Sequence, residues 1–547
     1  MRPYDASVSL PITPISTPTQ SLGSGTSSSS LPLRRTSRIR PSLTTLSLAF
    51  VHLSIFLWWT HAARPTLDRA HKIINSSSTS PASLSVVNGG GTGSVTATGS
   101  CEVCVLDPGH ELCEYGINSV RMSRQYEGSG ARVRKALAKA LRGEELSIGI
   151  LGASVTAGHS VLPGEQKWQE KFYADFLTLF PKTKMHVGAV SATDSRFFSY
   201  CYEAVVPRDL DLYIVELDIN NEPHLETLRD DDALMRGLLQ LPQEPAVIRV
   251  SAIAILFPEL ARGSISTLIT STFFDVPSIG VRYLIPHLIK HREPAEIIFG
   301  LDAWGNRDYR HMSVVGHAAL ADMLSLYLRK EVCETQRAQL VPPPQRSNTS
   351  LSLWPLDEDL GQVPDLALWS QWTNPVPLKP ITPLCRTVNT PLSYLTPVSN
   401  SPEFRLIEWN GKHAWSSATP GSQIRFNFRG TKVGIFVYTT NGNAAYELAD
   451  PGTEGTEAGD KKRKEEGPGM AICWIEAVGG KEIKHGTQVV GDAWEVNTHW
   501  PERGPAGAEF IELTEGLEPR EHILACEVSN KSTSGGHKWR VQGVASQ

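Results

Sequence analysis

The chain of 547 residues carries a formal net charge of −5 and so lacks the basic excess that drives binding to a phosphate backbone. No nucleic-acid partner is expected. It also lacks the spacing of a zinc module. Cys101-Glu102-Val103-Cys104 forms a CxxC pair, but neither a second pair nor a His pair follows at ligand distance, which leaves metal binding the lesser reading of these thiols. Neither GxGxxG nor GxxxxGK[ST] occurs, there is no internal repeat, and no cofactor is implied. The cysteine count of eight is even, as complete pairing in an oxidising compartment requires, although sequence does not dictate connectivity.

Charge is absent from one further place, the run from Leu43 to Ala63 (LTTLSLAFVHLSIFLWWTHAA). Its length matches the ~20 residues a helix needs to span a bilayer, and it ends at the interfacial pair Trp58-Trp59. The competing readings are a signal peptide's apolar region and a buried helix. His52 and several Ser and Thr weaken the span, but the run starts too far into the chain for an ordinary signal peptide. Arg34, Arg35, Arg38 and Arg40 crowd the N-terminal flank, so the sequence predicts a single-pass type II topology. The tail of residues 1–42 would be disordered and cytosolic. Everything beyond the span would face the secretory lumen (ER or Golgi) or the cell exterior. Sequons at Asn75, Asn348 and Asn530 agree with this placement without proving it.

Beyond the anchor, residues 64–100 read as a flexible Ser/Gly/Thr stem. From 101 to 335 the pattern predicts an α/β domain. ARVRKALAKALRG spaces Val133, Leu137 and Leu141 for one helix face, and Trp168, Phe172, Phe176 and Phe180 recur every fourth residue for another. LSIGIL, DLYIVELDI, PAVIRVSAIAIL and AEIIFGLD are strand candidates, and SVVGHAALADMLSLYLRK closes the domain with a helix. Long apolar strands between helices predict a parallel sheet covered on both faces. Proline-rich residues 336–383 read as a linker. Residues 384–547, with alternating runs such as Ile424/Phe426/Phe428, predict a β-sandwich-like domain; the charged stretch 452–469 would be a solvated insertion.

Ser154 follows the first strand candidate in GILGASVTAGHS, among small residues that would let a substrate reach its hydroxyl. A serine hydroxyl is a weak nucleophile until a base accepts its proton and a carboxylate orients that base. Asp308-Tyr309-Arg310-His311 supplies both groups three residues apart; His317 is a second candidate base.

These blocks, in order Gly152-Ala153-Ser154, Gly188 in VGAVSATDS, Asn220 in VELDINNEP, and Asp308 to His311 followed by Gly316-His317, resemble those of the SGNH hydrolases, also called GDSL esterases and lipases. The resemblance spans about residues 145–330 and implies a three-layer, flavodoxin-like α/β fold. It also implies Ser154 as nucleophile, His311 as base and Asp308 as its orienter. The oxyanion would be held by the backbone N–H groups of Ser154 and Gly188 and by the Asn220 amide, each donor worth roughly 3 kcal/mol of barrier. Three positions depart from the common pattern: Ala153 and Val155 give Gly-Ala-Ser-Val for Gly-Asp-Ser-Leu, and Asn221 stands where Asp is frequent. The overall pattern is most similar to large membrane-anchored members of fungal and algal type.

Three functions fit this reading. A serine esterase, such as a deacetylase, could act on acylated glycans or lipids; an O-acyltransferase could use the same triad; an idle fold could serve as a glycan-binding scaffold, with Trp474, Trp494, Trp500 and Trp539 as stacking platforms or simply as core.

Overall fold

A computed structural model describes residues 100–547 except 257–263, 303–304, 341–358, 376–377, 379–382, 391, 410–411, 442–466, 478–492 and 502–506. The tail, the apolar run 43–63 and most of the stem lie outside the described residues, as does nearly all of the charged stretch 452–469. Among the described residues, no helix is long and apolar enough to cross a membrane.

The first half is an α/β unit. Its main sheet comprises β1 (Arg124–Tyr126), β2 (Leu146–Gly152), β3 (Thr183–Ala189), β4 (Leu212–Glu216), β5 (Ala246–Ser251) and β6 (Ser278–Gly280), in spatial order β1-β6-β5-β4-β2-β3. All neighbours run parallel except β1, which is antiparallel to β6. The central strands β4 and β5 are buried at every position, as expected where helices cover both faces. The helix Ala131–Leu141 buries Val133, Ala136, Leu137 and Ala140, an i, i+3, i+4, i+7 stripe. Trp168, Phe172 and Phe176 do the same from the helix Trp168–Leu179, so the aromatic repeat is core.

AEIIFGLD departs from the expected strand. Its first part completes the helix Arg292–Ile298, and only β7 (Phe299–Leu301) is extended, pairing with β8 (Arg307–Met312) outside the main sheet. A short apolar run does not reveal its period, and the N-terminal turn of Arg-Glu-Pro-Ala tips this one to helix. The closing helix runs farther than the apolar pattern, from Val314 to Leu340.

All eight cysteines pair, as Cys101–Cys333, Cys104–Cys113, Cys201–Cys385 and Cys473–Cys526. Cys101 and Cys104 therefore have different partners, and neither is a metal thiolate. In the proline-rich stretch, described residues pack on the α/β unit: Arg132 Nε donates to the Gly361 carbonyl at 2.6 Å and Arg236 Nη2 to that of Leu366 at 3.1 Å.

The C-terminal part is a single antiparallel sheet of nine strands: β9 (Leu384–Thr387), β10 (Ser399–Asn400), β11 (Arg405–Trp409), β12 (Lys412–Ser417), β13 (Gln423–Thr439), β14 (Met470–Ala477), β15 (Trp494–Asn497), β16 (Gly507–Val528) and β17 (Trp539–Ser546). SQIRFNFRG and TKVGIFVYTT, which read as separate strands, are both parts of β13. The β13–β16 register shifts between Gly430 and Lys432 and again between Val433 and Gly434. Such irregularities bend long strands, and the antiparallel sheet curls into a half-barrel. Gly430 has φ 143°, and a Cβ there would lie 2.5 Å from the Gln547 carbonyl oxygen, so a side chain would block the bend.

Candidate active site

β2 ends at Gly152, and the chain turns at Ala153 into the short helix Ser154–Ala157. Ser154 is thereby placed at the carboxyl edge of the parallel sheet, where crossing loops leave room for a ligand. As the first residue of that helix, it has a backbone N–H with no acceptor inside the helix.

β8 presents the partner groups. His311 Nε2 lies 2.8 Å from Ser154 Oγ, and His311 Nδ1 lies 2.6 Å from Asp308 Oδ2. Asp308 Oδ1 accepts from the Arg310 backbone N–H at 3.0 Å and from Arg310 Nε at 3.4 Å. Burial alone would raise the Asp308 carboxyl, but its bond to His311, aided by the Arg310 contacts, holds it well below the usual carboxylate range. A fixed carboxylate on one imidazole nitrogen and a serine hydroxyl on the other can draw off the hydroxyl proton as the oxygen attacks a carbonyl.

His317 is not part of this relay. It is fully buried and its Nδ1 accepts from the Trp168 backbone N–H at 3.0 Å. Burial, with the nearby charges of His311 and Lys167, pushes it down to about 4, so it packs as a neutral ring.

Asn220 lies in the turn after β4, its N–H donating to the Leu217 carbonyl at 3.0 Å, and is half-buried at the same sheet edge as Ser154. Asn221, in contrast, is fully buried. Its Oδ1 accepts from the Ser195 N–H at 3.0 Å and its Nδ2 donates to Ser195 Oγ at 2.8 Å. Ser195 Oγ donates in turn to Asp231, which pairs with Arg249 at 2.5 Å. The residue standing where Asp is frequent thus ties the Asn220 turn to the helix Ser195–Val205.

Gly188 does not face the site. The Val190 N–H donates to the Gly152 carbonyl at 2.9 Å, and the parallel pairing of Leu151 with Gly188 and Gly152 with Ala189 then assigns the Gly188 N–H to the Ile150 carbonyl. Its missing side chain serves packing, since a Cβ would lie 2.8 Å from Val205 and 2.9 Å from Val206. The residue in this block with unusual backbone is Ala192, at φ 63° in the loop from Val190 to Asp194. That left-handed conformation costs an L-residue on the order of 1 kcal/mol, so its surroundings impose it. Beside it, Ser191 Oγ lies 3.1 Å from His159 Nε2, and the His159 ring centroid is 5.0 Å from that of His311. Among the described residues the Ala192 N–H donates no hydrogen bond, unlike that of Gly188.

Two further groups support the serine turn. His159 is pushed down to about 4, first by burial and then by the positive charge of His311, with smaller contributions from Lys412 and Arg310, so it stays neutral. Glu216 is fully buried, and its Oε2 accepts from Thr156 Oγ1 at 2.8 Å. Burial pushes this carboxyl up to about 8 against the Thr156 bond that favours its ionised form. Thr156 Oγ1 also accepts from Trp168 Nε1 at 3.2 Å.

Of the tryptophans considered as sugar platforms, Trp539 is fully buried in the half-barrel core, Trp474 and Trp494 are half-buried, and Trp500 is 38% exposed. Among the described residues, no His, Cys, Asp and Glu cluster is arranged to hold a metal ion.

No family model matches the chain, and no curated protein matches it in sequence. Solved structures do match in fold. One is a two-domain esterase active on acetylated mannans: the match has TM-score 0.51 and 15% identity, covering 78% of this chain and 98% of that one. The same kind of esterase co-crystallized with mannopentaose matches at TM-score 0.50 and 15% identity, over 78% and 97% of the two chains. Both halves of the present chain thus have counterparts in that two-domain architecture.

Proposed function

We propose that this chain is a serine ester hydrolase of the SGNH type that removes acyl groups, acetyl foremost, from glycans. The observation that carries the reading is the unbroken relay Ser154–His311–Asp308, at 2.8 and 2.6 Å. A serine in a tight turn or a buried histidine is common, whereas both hydrogen bonds meeting on one imidazole are what general-base activation needs. Ser154 attacks the ester carbonyl as His311 takes its proton, and the backbone N–H groups of Ser154 and Ala192 with the Asn220 amide receive the developing oxyanion. His311 then returns the proton to the leaving sugar oxygen. Water then attacks the carbonyl of the acyl ester left on Ser154 as His311 takes its proton, and the bond to Ser154 Oγ breaks as His311 passes that proton to Oγ, releasing the acid.

Glycan as the acylated substrate is supported by likeness in fold to esterases active on acetylated mannans. A secretory-lumen or extracellular setting is supported by the pairing of all eight cysteines, because cytosolic thiols are kept reduced. The apolar run 43–63 is proposed as the membrane anchor of a type II protein of the fungal and algal kind.

The test is to incubate the full chain with acetylated mannan and, separately, with an acetylated lipid, and to quantify free acetate. Acetate released from the glycan by the wild type and not by Ser154→Ala supports the proposal. Release from the lipid alone contradicts the glycan assignment, and transfer of isotope-labelled acetyl to added glycan without free acetate contradicts hydrolysis.

A further inference from the structure

The loop from Val190 to Asp194 is fixed at both ends by the α/β unit, at Val190 by β2 and at Asp194 by capping of the helix Ser195–Val205, where its carboxylate accepts from the N–H groups of Arg196 and Phe197 at 3.1 and 3.2 Å. Its middle is held from elsewhere. The Ala192 carbonyl accepts from the N–H of Ala508, at 3.1 Å, and Ala508 is the second residue of β16 in the half-barrel. Ala508 sits opposite Tyr438 of β13 in the ladder, so an N–H that reaches Ala192 is turned away from β13. The half-barrel uses this donor outside its own sheet.

The contact is backed by a stiff interface. Two residues along β16, Phe510 stacks on Tyr200 with ring centroids 4.5 Å apart, and Phe436 of β13 packs edge-on against Phe197 at 5.0 Å. Tyr200 and Phe197 belong to the helix that begins where the loop ends, and Cys201 of that helix is disulfide-bonded to Cys385 of β9. Thr390 Oγ1 donates to the Ala204 carbonyl at 2.6 Å. Phe197, Cys201 and Phe436 are all buried. The loop is therefore clamped between the serine turn, through Ser191 and His159, and one end of β16.

We propose that the C-terminal half-barrel is a positioning element of the ester-cleaving site itself: the Ala508 N–H, bonded to the Ala192 carbonyl, holds Ala192 in its left-handed backbone conformation and so sets the direction of the Ala192 N–H, in the preceding peptide unit, toward the oxyanion. This rests on the hydrolase reading above. A small displacement of a donor for developing charge lowers turnover far more than ground-state binding, by up to about 100-fold for about 1 Å.

The experiment measures steady-state hydrolysis of p-nitrophenyl acetate by the full chain, an ester too small to need a glycan-binding surface. Ala508→Pro deletes the donor while leaving the β13 ladder intact, because the lost N–H points away from it. The expected result is a fall in kcat of on the order of 10-fold with KM within about two-fold, and recovery of kcat in Ala508→Ser, which restores the N–H. Should the proline variant fail to fold, replacing Ala508 by lactic acid removes the same N–H as a backbone ester and must give the same kcat loss. Unchanged kcat in the folded donor-less protein overturns the inference, as does a rise in KM alone. An active wild type with an unaffected donor-less variant contradicts this inference only. A wild type with no Ser154-dependent hydrolysis contradicts the proposed function and this inference with it.

Discussion

Replacing Asp308 by Asn isolates the carboxylate's part in the relay. In the native site Oδ1 accepts from the Arg310 backbone N–H at 3.0 Å, and Oδ2 faces His311 Nδ1 at 2.6 Å. A backbone N–H cannot donate to an amide NH2, so the introduced amide must keep its carbonyl oxygen on Arg310 and turn its NH2 toward His311. The NH2 donates, which makes Nδ1 an acceptor and moves the ring proton to Nε2. Nε2 then faces Ser154 Oγ as a donor and cannot take the serine proton. The side-chain volume is unchanged, so folding should be preserved while the wrong tautomer is enforced. A change of this kind costs about 10³- to 10⁴-fold in kcat, roughly 4–5.5 kcal/mol of barrier. The assay is kcat on p-nitrophenyl acetate, with circular dichroism to verify the fold. A folded Asp308→Asn protein retaining more than about a tenth of wild-type kcat would refute this account of the relay.

Asn220→Ala should lower kcat by about 10²- to 10³-fold with little change in KM, since its amide is assigned to the transition-state oxyanion; a rise in KM at constant kcat would remove it from that role. Glu216 gives a stability prediction with a definite pH window. Its native carboxyl is pushed from an ordinary 4.5 up to about 8, so between those values the folded state binds more protons than the unfolded state, and its contribution to stability falls as pH rises, then levels off above 8. Glu216→Gln removes this titration. The variant's unfolding free energy relative to wild type, read by denaturant titration, should therefore climb from pH 5 to pH 8, by on the order of a few kcal/mol; a difference that is flat over that range would show that Glu216 titrates normally.

Much of this architecture is legible in the residues. Mainly apolar runs at 146–151 and 245–256 announce buried parallel strands, because a helix-covered sheet accepts few polar side chains and those only with buried partners, as Arg249 has in Asp231. Ser154, Asp308 and His311 stand out because a nucleophile after a strand and an Asp–His pair ahead of a helix are local patterns. Gly188 misleads for an instructive reason. A residue without Cβ suggests an accessible N–H, but what an oxyanion site needs is a free one, and here left-handed backbone at Ala192 leaves one, while Gly188 spends its own in the ladder. His317 and His311 look alike as letters; burial against the Trp168 N–H separates them. The clamp on Ala192 is invisible in the sequence because its partner, Ala508, lies on another sheet, and apposition of β16 with the helix Ser195–Val205 depends on tertiary packing that no local pattern encodes.

The central claim is that Ser154 is a nucleophile activated by His311. Covalent labelling of the full chain by a fluorophosphonate, read by mass spectrometry of the modified peptide, tests it most directly. The relay predicts a single adduct on Ser154, lost in Ser154→Ala and nearly lost in His311→Ala but retained in His317→Gln. Absence of labelling in the folded wild type, or labelling that survives His311→Ala undiminished, would contradict it.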